Sequence, residues 1–104
     1  MHAISEGMKQ INNVTVDTFC RDIDHAGVHF EVEAGTTGLC KDSRAYMRLT
    51  AEDGSFFARL QTDDVGKPRG VEIAVTGCAE ILSLLETLEF TFRAIADAIE
   101  ENDD

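Results

Sequence analysis

Apolar residues recur at helical intervals over one long stretch of this chain. Ile81, Leu85, Leu88, Phe92, Ile95 and Ile99 are spaced 4, 3, 4, 3 and 4 apart. That is one stripe along about six turns of α-helix. The spacing predicts a helix over Thr76–Glu101, capped by Thr76 or Gly77, with its stripe laid on a sheet. The middle of the chain alternates instead. Val28, Phe30 and Val32 point one way, and His29, Glu31 and Glu33 point the other. Val71, Ile73 and Val75 likewise share a face.

Between these two strands, Asp53-Gly54 sits between two alternating runs. The pair reads as a two-residue hairpin turn, because both central residues need positive φ. Counting outward pairs Ala51 with Phe56, Leu49 with Ala58 and Met47 with Leu60 on an apolar face. The other face then pairs Thr50 with Phe57, Arg48 with Arg59 and Tyr46 with Gln61. A one-residue slip would destroy this sorting.

The N-terminal third is read as a loose arm over residues 1–12 followed by a short helix. Thr15 is its N-cap, and Asp17 suits the positive end of the helix dipole. Val14 and Phe19 stand as a hydrophobic staple. Val16, Phe19, Cys20 and Ile23 form its face, and Gly27 ends it in the left-handed conformation. The rival reading is a strand over Val14–Phe19. The expected fold is α+β in a single domain spanning 1–104. It is a four-stranded antiparallel β-meander with a short N-terminal helix and a long C-terminal helix packed on one face, in the order α-β-β-β-β-α. Acids crowd the negative end of the last helix, so residues 101–104 are expected to fray.

Charge alters this picture more than composition does. The 104 residues carry a formal net charge of −11. Residues 71–104 hold one basic and nine acidic side chains, whereas residues 41–70 hold six basic and five acidic. Such a balance argues against non-specific binding to duplex nucleic acid and favours a basic protein partner. The opening residues lack an apolar leader core, and no apolar run is long enough to span a membrane. The three cysteines, an odd number, point to a reducing cytoplasm rather than a disulfide framework.

Two surfaces are candidates for binding. Tyr46, Arg48, Phe57 and Arg59 interleave rings and guanidinium groups on the polar face of the expected hairpin, as sheet-based readers of single strands do. The plainer reading is internal neutralisation, with Glu31 or Glu33 beside Arg48 and Glu72 beside Arg59. The second surface is an acidic row on the last helix, Glu86, Glu89, Asp97 and Glu100, with Arg93 one turn from Glu89. Such a row can imitate phosphates and occupy a basic groove in another protein, or can simply be a solvated face. Leu82, Leu84, Phe90 and Ala94 lie off the main stripe, which leaves apolar surface for a homodimer.

The Gly66-Lys67-Pro68-Arg69-Gly70-Val71-Glu72-Ile73 run, entering a last strand before a long helix, is loosely similar to the PC4-like single-stranded DNA-binding domains over residues 44–90. The chain departs from that pattern in its acidity and its expected first helix, and no site residue is carried over.

Catalytic signals are weak. Cys78 near a helix N-terminus could be reactive, but nothing in the spacing brings His25 or His29 to it. Cys20, His25, His29 and Cys40 match no zinc pattern. Gly35-Thr36-Thr37-Gly38 with Lys41 lacks the order of a phosphate loop. The chain is therefore expected to be a non-enzymatic binding protein without a cofactor. It would act by protein–protein contact, as an inhibitor or immunity-type protein covering the basic surface of a nucleic-acid-binding partner. Single-stranded nucleic-acid binding through the Tyr46/Arg48/Phe57/Arg59 face is the alternative.

Overall fold

The computed structural model describes residues 5–52 and 55–102, without the side chain of Asn102. Among these described residues, six strands and one helix succeed one another: β1 Ser5–Ile11, β2 Val14–His25, β3 Val28–Thr36, β4 Ala45–Ala51, β5 Phe57–Thr62, β6 Pro68–Ala74 and α1 Cys78–Asn102. The first four form one antiparallel sheet in sequential order, and β5 and β6 form a separate two-stranded sheet. The α+β class and the long C-terminal helix stand as expected.

The N-terminal helix does not form. The segment from Val14 to His25 is the longest strand of the fold, and residues 5–11, expected in a loose arm, are its partner. Two features decide this. Val14, Thr15, Val16, Thr18 and Ile23 are β-branched and fit a pleated surface better than a helix. Tight turns also flank the segment. Asn12 and Asn13 have φ of 49° and 68° and join Ile11 to Val14, while Ala26 and Gly27 have φ of 50° and 86° and join His25 to Val28. Positive φ at both central residues is the hairpin geometry that matches strand twist. Gly27 is left-handed, but it turns a hairpin instead of ending a helix.

The sheet's apolar face is formed by Phe19 and Ile23 on β2, Phe30, Val32 and Ala34 on β3, and Leu49 and Ala51 on β4. Phe90 and Ala94 of α1 close the core against it. Only one half of β2 pairs with β3, from Phe19 onward. The other half passes so close to β3 that a Cβ on Gly35 would lie 2.2 Å from the Asp17 carbonyl oxygen. Glycine is required there by contact, not by φ.

The expected β4–β5 ladder is the second correction. β4 pairs only with β3 and β5 only with β6 among the described residues, so the six cross-strand pairs counted outward from Asp53-Gly54 are not made. The turn itself lies outside the described residues. The two residues after it account for the outcome. Glu80, at the start of α1, accepts hydrogen bonds from the Ser55 N–H and hydroxyl. Phe56 packs edge-on to Phe30 with ring centroids 5.9 Å apart. These contacts carry the chain across to the helix instead of back along β4.

The helix also turns a different side to the sheet from the one its main stripe predicts. Glu80, Ser83, Thr87, Phe90, Ala94 and Ala98 are its buried residues. Ile81, Leu85, Leu88 and Phe92 are 48%, 57%, 49% and 70% exposed, and Ile95 and Ile99 are half-buried. At 100° per residue, the centres of the two sets lie about 130° apart around the cylinder. Phe90 and Ala94, off the main stripe, make the sheet contact.

Candidate functional site

The acidic row of α1 runs along the flank between the buried and outer stripes. Its four members do not share one environment. Glu86 faces β2, where its carboxylate lies 2.8 Å from His25 Nε2 and 3.3 Å from Arg21 Nη2. It ties helix to sheet and is not part of an open surface. Glu89, Asp97 and Glu100 instead line a groove of about 880 Å³ between the C-terminal half of α1 and β2. Phe19, Phe90, Ala94 and Ala98 form its apolar part. Arg21, Arg93 and Glu101 complete the lining, leaving four carboxylates against two guanidinium groups.

The second candidate surface is divided by the fold. Tyr46 and Arg48 are on β4 in the four-stranded sheet; Phe57 and Arg59 are on β5 in the two-stranded one. Arg48 stands opposite Glu33, and Arg59 opposite Glu72. Internal neutralisation is what the geometry displays. Arg48 Nε and Nη2 each donate to Glu33 Oε1 at 3.2 Å, and Nη1 donates to Glu31 at 3.1 Å and to Thr50 Oγ1 at 2.7 Å. Arg59 Nη2 lies 2.6 Å from Glu72. Lys9 sits 6.0 Å from the Tyr46 ring centre, and Arg59 sits 5.8 Å from that of Phe57.

Glu33 is the centre of the polar cluster on this side of the sheet. It is 4% exposed and accepts the Thr18 hydroxyl at 2.6 Å, with Lys9 Nζ at 3.7 Å. Burial by itself would raise its pKa. The hydrogen bonds from Thr18 and Arg48 outweigh that and hold the carboxyl below its ordinary value. A carboxylate so fully engaged is a structural anchor.

Glu80 has a similar role at the helix start. The Gly77 carbonyl accepts the Ile81 N–H at 3.0 Å, which makes Gly77 the N-cap. Glu80 at the third helical position accepts the Thr76 N–H at 2.8 Å, close to a capping box. The Thr76 bond, then those from Ser55, lower its pKa.

The remaining candidates stay apart. Cys78 is exposed at the first residue of α1. His25 faces Glu86, and His29 is 2.6 Å from Asp24. Cys40 lies exposed in the β3–β4 loop. Among the described residues, no group of three or more His, Cys, Asp or Glu side chains is arranged to hold a metal ion, and no helix is long and apolar enough to cross a membrane.

Sequence reasoning places Phe90 and Ala94 off the stripe and Phe19 on a helix, so it does not bring them together. No pattern in the chain marks Arg21. No family model matches this chain, and no curated protein or solved structure is significantly similar to it.

Proposed function

We propose that this chain is a small, acidic, non-enzymatic binding protein whose α1–β2 groove takes a basic, amphipathic segment of another protein. The observation that carries the reading is the groove itself, with Phe19, Phe90, Ala94 and Ala98 inside and Glu89, Asp97 and Glu100 around it. Its size falls in the range of about 300–1,000 Å³ usual for binding sites. An apolar floor supplies affinity, and a carboxylate rim selects lysine and arginine and steers encounter. The net charge of −11 acts in the same direction at longer range. An inhibitor or immunity-type role fits, since a segment that binds nucleic acid is basic by necessity. The free state of Cys20, Cys40 and Cys78 suits a reducing, cytoplasmic setting.

Fluorescence anisotropy with three labelled probes tests this. They are a Lys/Leu amphipathic peptide, a Lys/Ser peptide of equal charge and a single-stranded oligonucleotide. The amphipathic peptide should bind best. Reversal of Glu89, Asp97 and Glu100 to Lys should abolish that binding. Equal binding of both peptides, or preferred binding of the oligonucleotide, would refute the reading. Glu86 is left intact in this design because it anchors the helix through Arg21 and His25.

A further inference from the structure

Among the described residues, two apolar faces are left uncovered. One belongs to the β5–β6 hairpin. Its register puts Ala58 opposite Ile73 and Leu60 opposite Val71, so these four share a face without a charge. Leu60, Val71 and Ile73 are 60%, 63% and 41% exposed. The reverse face carries the Arg59–Glu72 ion pair and is suited to water. The other uncovered face is the outer stripe of α1, Ile81, Leu85, Leu88 and Phe92.

A two-stranded hairpin is marginal in water unless something covers it. This one is nevertheless built to hold its shape. At its tip, Asp63 Oδ1 accepts the N–H groups of Val65 and Lys67 at 3.0 and 2.9 Å, and Oδ2 accepts Arg69 Nε at 3.1 Å. Its base is fixed by Phe56, packed on Phe30, and by the short link from Ala74 to Cys78. The hairpin therefore projects as an arm. The molecule is correspondingly open, with a radius of gyration of 15.0 Å and extents of 43 × 41 × 17 Å. A compact domain of this length has about 13 Å.

We propose that a second copy of this chain covers both faces: the hairpin arm of each copy lies on the outer stripe of the other copy's α1. The dimensions agree. Ile81 to Phe92 spans about 16 Å of helix at 1.5 Å per residue, and the strands of the arm span about 20 Å at 3.3 Å per residue. The seven large side chains of the two faces are 41–70% exposed, which is on the order of 100 Å² each for residues somewhat smaller than an aromatic of about 150–250 Å². Their total approaches the roughly 800 Å² per partner of a stable interface. A two-fold axis makes the exchange reciprocal, so one contact type covers every uncovered face without a third component. Helix-to-helix packing along the outer stripe would leave both arms bare.

The test uses charge exchange at exposed positions and is read by sedimentation velocity at about 100 µM, well above a micromolar Kd. Wild type should sediment as a dimer. Leu60→Glu on the arm and Leu85→Lys on the helix should each give a folded monomer, with an unchanged far-ultraviolet circular dichroism spectrum. An equimolar mixture of the two variants should restore a dimer, because one contact is then Glu against Lys and the other is wild type. A monomeric wild type would overturn the proposal. So would a dimeric Leu60→Glu variant, which would mean the helices pair without the arms. A mixture that stays monomeric would overturn it as well.

Discussion

The buried side of α1 is more polar than a helix–sheet contact needs, and Thr87→Val is the substitution that exploits this. Ser83 and Thr87 are 0% exposed, and neither hydroxyl oxygen has a hydrogen-bond partner among the described residues. Thr91, one turn on, avoids the problem by donating its hydroxyl to the Thr87 carbonyl at 2.9 Å. A buried hydroxyl without a partner costs about 1–3 kcal/mol. Valine has nearly the same shape and a similar helix propensity, so the substitution removes that cost and adds apolar burial. The expected gain is about 1–2 kcal/mol, a substantial part of the roughly 5–15 kcal/mol typical of a domain. The assay is urea unfolding followed by circular dichroism, with wild type and variant at equal concentration because self-association would shift the midpoint. The midpoint should rise while the slope stays constant. Tm should rise by about 4–8 °C per kcal/mol. A loss of about 1 kcal/mol or more would overturn this account, since it would mean the hydroxyl is bonded, for instance to a buried water.

Three further predictions concern charge. Glu33→Ala should destabilise by about 2–4 kcal/mol in the same assay. It strips Thr18 and Arg48 of a buried acceptor, although Arg48 keeps Glu31 and Thr50. Because the folded pKa of Glu33 is lowered from its ordinary 4.5, its contribution is complete above that value and is lost as pH falls through the folded one. Glu33→Gln should flatten that acid-side loss in unfolding midpoints taken across about pH 3–6. His29 shifts the other way: the hydrogen bond to Asp24 raises its pKa above 6.5 against the opposing effect of burial, with Asp24, Glu52 and Asp22 adding charge. Its contribution is therefore complete below about 6.5 and fades as pH rises through the folded value. Asp24→Asn should lower the His29 midpoint in an NMR titration, and an unmoved midpoint would reject the assignment.

The chain's own pattern located most elements and misplaced some of their partners. The alternation from Val28, the runs on either side of Asp53-Gly54 and the strand through Val71 and Ile73 all correspond to strands. The carboxylates beside the two arginines were also legible, because Glu33 and Glu72 fall on the matching faces of neighbouring strands. The segment after Val14 was ambiguous. Its apolar residues fit a helical face and a strand alike, and the turns at Asn12-Asn13 and Ala26-Gly27 tip the balance. The groove was legible only as its acidic row. Its floor joins Phe19 to residues of α1 some seventy positions away, and no local pattern encodes that meeting.

Periodicity was thus enough to locate the long helix and four of the strands, though β3 runs on to Thr36 and β6 already starts at Pro68, and the order of residues alone sets the distribution of charge. Long-range packing was needed to choose which side of the helix meets the sheet and whether β4 goes on to pair with β5. Periodicity defines faces without saying which one is inside. A turn signal likewise permits a hairpin without enforcing it against contacts from far along the chain. Here Glu80 holds Ser55, and Phe56 reaches Phe30; these contacts divert the chain and leave the richest apolar stripe facing outward.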